Sequence, residues 1–208
     1  MQEKNVVNFY LLCNKLKDVV RTGWKNWGVK RERVESVAEH IYGTQMLAIA
    51  MWSEFEYEID LAKVLSMLAI HELEETKIGD LTLFDVDRET KTQMGHKAIE
   101  EILSKLLKGE TIKSLILEFD ERKTKESRFA FYCDKLEADL QCKLYDEQKC
   151  VDLEKQLESN IEIKKRSGNV FKEEKSWSSA WIRFSQERYG YDENFMKVSN
   201  YIKNKDKD

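Results

Sequence analysis

Three histidines occur in this chain of 208 residues, and two of them stand in company that suggests chemistry. His71 follows Met67-Leu-Ala-Ile and is followed by Glu72, Leu73, Glu74 and Glu75, so an apolar run turns acidic within one residue. A lone histidine among apolar residues is usually a core residue making one hydrogen bond, and an acidic cluster is usually solvated. Setting both at the exit of a core helix is costly unless a partner is present. A divalent cation is such a partner, because neutral imidazole and carboxylate are ligands for Zn, Mn, Co or Fe. On a helix, residues three and four apart share a face, which groups His71 with Glu75 and Glu72 with Glu75. His40, in Val-Glu-Ser-Val-Ala-Glu-His, is the candidate ligand from a second helix. A further carboxylate is needed, and Cys133-Asp-Lys-Leu-Glu-Ala-Asp139 offers Asp134, with Asp139 as the weaker alternative. His96, after Gly95, belongs to no His-acid pair.

The elements that must position these residues read as helices. The chain has no proline, eight glycines and apolar residues recurring at intervals of three and four. Val6, Val7, Tyr10, Leu11, Leu16 and Val19 mark a first helix, and Val37 to Met51 a second that carries His40. Ser36 with Glu39 three residues on reads as a capping box for the second. Leu61 to Leu73 is the most apolar helix and therefore central, with Asp60 as its N-cap. Further helices are expected over 90–107, 112–119, 127–145, 151–163, 176–189 and 193–202. The expectation is one all-α domain over 1–208, with a motif-bearing core of about 9–145 and a C-terminal helical extension of about 146–204.

Composition narrows the function. With 41% hydrophobic and 36% charged residues the chain is globular with a charged surface, and a net charge of −4 gives no footprint for nucleic acid. The basic clusters at Lys30 to Arg33 and Lys164 to Arg166 are short and have acidic neighbours, which reads as solvated surface. No stretch has the length of a membrane span, no signal-peptide pattern occurs, and none of Cys13, Cys133, Cys142 and Cys150 forms a CxxC pair. Free thiols in a cytoplasmic protein are the expectation. Phe171, Trp177, Trp181, Ile182, Phe184 and Tyr189 form an aromatic-rich stretch that either covers the core or serves as a homodimer face.

Three ordered motifs, Glu35-Ser-Val-Ala-Glu-His40, Met67-Leu-Ala-Ile-His71-Glu72-Leu-Glu-Glu75-Thr-Lys-Ile-Gly79-Asp80 and Asp134-Lys-Leu-Glu-Ala, together resemble the HD-domain phosphohydrolases over roughly 9–145. The likeness is greatest to the branch that includes the 5′-deoxynucleotidases. The resemblance implies an all-α HD-domain fold and one divalent metal ion held by His40, His71, Glu72 and Asp134. Glu75 and Asp80 would serve catalysis, and Arg21 and Trp24 would hold the nucleotide. The implied reaction is removal of phosphate from a (deoxy)nucleoside 5′-monophosphate by a metal-activated water, in a homodimer that binds neither nucleic acid nor membrane. Two features depart from the pattern. The family's defining pair is His-Asp where this chain has His71-Glu72, and the segment between Trp24 and His40 is slightly long. Two other readings remain: a non-catalytic nucleotide- or metal-binding regulatory protein, and a helical homo-oligomeric interaction module.

Overall fold

A computed structural model describes residues 2–82, 85–160, 174 and 176–205. Among them the secondary structure is helical, save one isolated antiparallel bridge between Val20 and Ser36. The helices are α1 (Gln2–Asn14), α2 (Thr22–Asn26), α3 (Val37–Glu54), α4 (Leu61–Ile70), α5 (Glu75–Ile78), α6 (Arg88–Leu103), α7 (Gly109–Glu121), α8 (Lys125–Glu147), α9 (Leu153–Ser159), α10 (Trp177–Tyr189) and α11 (Glu193–Asn204). Ile163, the end of the expected 151–163 helix, the Lys164 to Arg166 cluster and Phe171 lie outside the described residues.

The chain forms two compact units, 1–22 with 35–131 and 23–34 with 132–208. In the first unit the capping signals act as the residue types require. The Ser36 hydroxyl accepts from the Glu39 amide, and the Glu39 carboxylate accepts from the Ser36 amide at 2.9 Å. Asp60 accepts from the Lys63 amide at 3.0 Å and starts α4. These bonds satisfy backbone donors that a helix start leaves open. The inward stripe of α3 is Val37, His40, Thr44, Ala48 and Met51, and α4 buries Val64, Met67 and Leu68 completely. The most apolar helix is indeed a core helix.

The first helix differs from its expected face. Val6, Val7, Tyr10 and Leu11 are more than half exposed, while Phe9, Leu12 and Cys13 pack against a cluster of Leu73, Ile99, Ile102, Leu103 and Ile116. Two apolar stripes run along α1, and periodicity alone does not say which one finds a partner.

The second unit is built on rings. Trp24, Trp27, Cys142, Tyr145, Cys150 and Trp177 form its buried cluster, with Trp181 packed against it. Trp24 meets Tyr145 and Trp177 edge-on, at centroid distances of 5.4 and 6.3 Å, a favoured geometry for aromatic pairs. The aromatic-rich C-terminal stretch therefore covers this core, with Trp177 and Ile182 at most 1% exposed. All four cysteines are free thiols, three of them buried. Among the described residues no helix is long and apolar enough to cross a membrane.

Candidate metal centre

The acidic turn after α4 sets the site's geometry. The α-helix stops at Ile70, and the chain continues through tighter bonds from Leu73 N–H to Ile70 C=O and from Glu75 N–H to Glu72 C=O before α5 begins. The expectation of one helix carrying His71 and Glu75 on a common face is thus corrected. The residues converge because the backbone turns between two short helices.

His71 caps α4, and its Nδ1 lies 2.8 Å from the Leu68 carbonyl. A carbonyl oxygen only accepts, so Nδ1 carries the hydrogen and Nε2 carries the lone pair. Bonds of this kind orient histidines that ligate metals. The Nε2 atom is 3.7 Å from Glu72 Oε1, and the His40 ring centroid is 5.5 Å from that of His71. His40, His71 and Glu72 each bring a ligand atom to within 4.8 Å of the others. Ligand atoms about 2.0–2.2 Å from a common ion stand no more than roughly 4.4 Å apart, so this trio needs only a small closure. The extra methylene of Glu72 does not take its carboxylate out of reach. Two imidazoles and a carboxylate, with His40 wholly buried and His71 6% exposed, are a donor set suited to a divalent ion.

Around the trio, charge is concentrated and incompletely hydrogen-bonded. Glu75 is 1% exposed, and neither carboxylate oxygen has a hydrogen-bond partner. Burial first, then the Glu72 and Asp80 carboxylates, push its pKa well above the ordinary range, while Lys91 and Arg21 pull it down. Burial and the Glu72 charge raise Glu74 to about 8. Its side chain lies over Gly95 of α6, where a Cβ would sit 3.4 Å from Glu74 Cγ. Arg21 reaches Glu72 at 3.3 Å and Lys91 reaches Glu75 at 3.5 Å.

Arg21 is held in place by its backbone. Its amide donates to the Glu35 carbonyl at 3.0 Å, the Val37 amide donates to Val19, and the Thr22 amide donates to Asp80 Oδ2 at 2.6 Å. The segment is thereby tied both to the start of the His40 helix and to the acidic turn. No local pattern signals this contact, since Thr22 and Asp80 are 58 residues apart. Lys91 was also missed, because it lies in the polar run Arg88-Glu-Thr-Lys-Thr-Gln with nothing to single it out.

Of the remaining candidates, Trp24, Asp134 and Asp139 belong to the second unit and His96 to the first. Trp24 is a core ring, 2% exposed. Asp134 is 4% exposed and pairs with Lys135 at 2.6 Å. Asp139, the weaker alternative, accepts from Ser185 Oγ at 2.6 Å and from Tyr191 Oη at 3.0 Å. His96 is half-exposed and paired with Asp120 at 3.1 Å on the surface.

Known proteins resemble the chain in sequence and in fold. A family profile described as HD domain matches residues 13–181. A 5′-deoxynucleotidase of Dictyostelium discoideum is 35% identical over 76% of this chain and 84% of its own length. The 5′-deoxynucleotidase of Xenopus laevis is 29% identical over 69% of this chain and 71% of its own. A solved structure, a conserved hypothetical protein from Pyrococcus furiosus, superposes with a TM-score of 0.62 at 28% identity, covering 80% of this chain and 97% of that one.

Proposed function

Because the chain belongs to the HD-domain family, we propose that it is a metal-dependent phosphohydrolase that removes phosphate from a (deoxy)nucleoside 5′-monophosphate. The observation that carries this reading is the convergence of His40, His71 and Glu72 beside the buried, hydrogen-bond-poor carboxylate of Glu75. By motif position Asp134 is the fourth ligand. A divalent ion held by this donor set would supply Lewis acidity toward phosphate oxygen and water.

The protein's own groups do the rest. Glu75 orients the attacking water and takes its proton, a role suited to a buried carboxylate whose pKa stands above the ordinary range. Arg21 presents its fork of donors to phosphate oxygens, released from its 3.3 Å contact with Glu72. Asp80 fixes the Arg21-Thr22 backbone through one oxygen. Its other oxygen is available to the sugar or to the departing 5′-oxygen. Trp24 serves the nucleotide by a ring edge at most, since the aromatic core surrounds the rest of it.

The proposal extends to a cytoplasmic homodimer. Four free thiols suit a reducing compartment. The outward face of α3 carries Tyr42, Met46, Ile49 and Trp52, all exposed, with no charged residue between 42 and 52. Such a stripe is what a second copy of the chain would cover. Light scattering at micromolar concentration tests this, and a monomer there ends the dimer proposal.

The test of the enzyme is phosphate release from a panel of nucleoside and deoxynucleoside monophosphates with Co²⁺, Mn²⁺, Mg²⁺ or Zn²⁺. Turnover with at least one pairing is expected. No phosphate from any pairing would overturn the reading.

A further inference from the structure

Lys91 stands in the first turn of α6, with its amide bonded to the Asp87 carbonyl at 3.0 Å. Its Nζ is 3.5 Å from Glu75 Oε1, and neither oxygen of Glu75 has a hydrogen-bond partner. A charge-assisted N–H···O bond closes to about 2.7–2.9 Å. Elsewhere in the same unit lysines do close: Lys63 on Glu118 and Lys113 on Glu100, each at 2.7 Å. Lys91 is therefore held by the field of the acidic turn without being committed to one carboxylate. Burial works to lower its pKa, yet the carboxylates of Glu72, Glu75, Asp80 and Glu74 outweigh burial and keep it charged. Its side chain remains 30% exposed, so the ammonium can meet a ligand.

The charge pattern says which kind. Glu72, Glu74, Glu75 and Asp80 would repel a phosphate dianion, and the cations that act on Glu75 are Lys91 and Arg21. Both make loose contacts, at 3.5 and 3.3 Å, of the kind an incoming anion can replace. We propose that Lys91 is a second phosphate-binding residue of the site, donating with Arg21 to the non-bridging oxygens of the nucleoside monophosphate. The assignment rests on the phosphohydrolase reading above. Lysine here acts as a point charge on a flexible stem, whereas Arg21 supplies a planar fork.

A purely structural role would make Lys91 a counter-ion for Glu75. That role moves kcat or thermal stability and leaves phosphate affinity alone. The discriminating experiment uses the full chain loaded with Mn²⁺ or Co²⁺ and compares Lys91→Met and Lys91→Arg with the wild type. Titration calorimetry with inorganic phosphate should show Lys91→Met binding weaker by about tenfold or more, with Lys91→Arg recovering most of the loss. KM for the nucleotide should rise in parallel, kcat should change by no more than about threefold, and metal content should not change. Lys91→Gln carries the same expectation should Lys91→Met not fold. Unchanged phosphate affinity, or a fall in kcat at constant KM, would overturn the assignment. Absence of turnover in the wild type would instead sink the hydrolase reading, and the calorimetry would still decide Lys91.

Discussion

Two buried carboxylates, one in each unit, are treated in opposite ways. Asp139 is fully buried and accepts hydrogen bonds from the hydroxyls of Ser185, on α10, and Tyr191, in the turn after it, so helix and turn are hung on one satisfied acceptor. Glu75 is as deeply buried, yet its oxygens accept no hydrogen bond and its nearest cation stands off at 3.5 Å. A buried polar group is expensive unless paired. The second unit meets that cost locally, which is how a structural carboxylate looks. The first unit leaves it open beside two histidines and three further acids, which fits the catalytic role proposed for Glu75. Burial alone does not separate the two cases; the count of hydrogen-bond donors does.

The comparison can be broken at either end. The largest expected effect is His71→Ala, which removes a ligand and should abolish both bound metal, measured by elemental analysis, and phosphate release. Full metal content in that variant would dismantle the centre. Next, Glu75→Gln should cut kcat by roughly 10²- to 10³-fold while leaving the melting temperature level or higher, because the substitution removes an ill-placed charge. A lower melting temperature with normal kcat would make Glu75 structural. Asp139→Ala should do the reverse: about 2–4 kcal/mol of stability lost in denaturant unfolding, as two buried hydroxyls lose their acceptor, with activity per folded molecule unchanged.

The smallest effect is on pH. Burial raises Asp139 to about 7 against an ordinary 3.8, with Ser185 and Tyr191 opposing it. A carboxyl whose folded pKa is raised contributes its full stabilisation below the unfolded value, and this is lost as pH rises toward and through 7. Melting temperature measured from pH 5 to 8.5 should therefore fall more in the wild type than in Asp139→Asn. Parallel curves would show that Asp139 does not titrate in that range.

Much of the fold was legible because helices announce themselves locally. The Ser36–Glu39 capping box and the Asp60 cap depend on residues three apart, and the structure has both. The burial of α4 follows from its composition. Where two apolar stripes competed, as on α1, sequence chose Val6 and Tyr10, and the structure packs Phe9 and Leu12, half-buried, against the core. The continuous helix expected from Leu61 to Leu73 breaks at Ile70, since hydrophobic periodicity does not register a change from four-residue to three-residue hydrogen bonding.

The sequence by itself determined the all-α class, the starts of α3 and α4 and the family, and it singled out His40 and His71-Glu72, because each is written in residue types at short or ordered spacing. Tertiary structure alone decided that Thr22 would hold Asp80 across 58 residues, that Trp24 would be a core ring, and that Lys91 would come to the acidic turn. Those contacts join segments far apart in the chain. Their existence depends on how helices pack, and no local pattern of side chains encodes which distant backbone or ammonium will arrive.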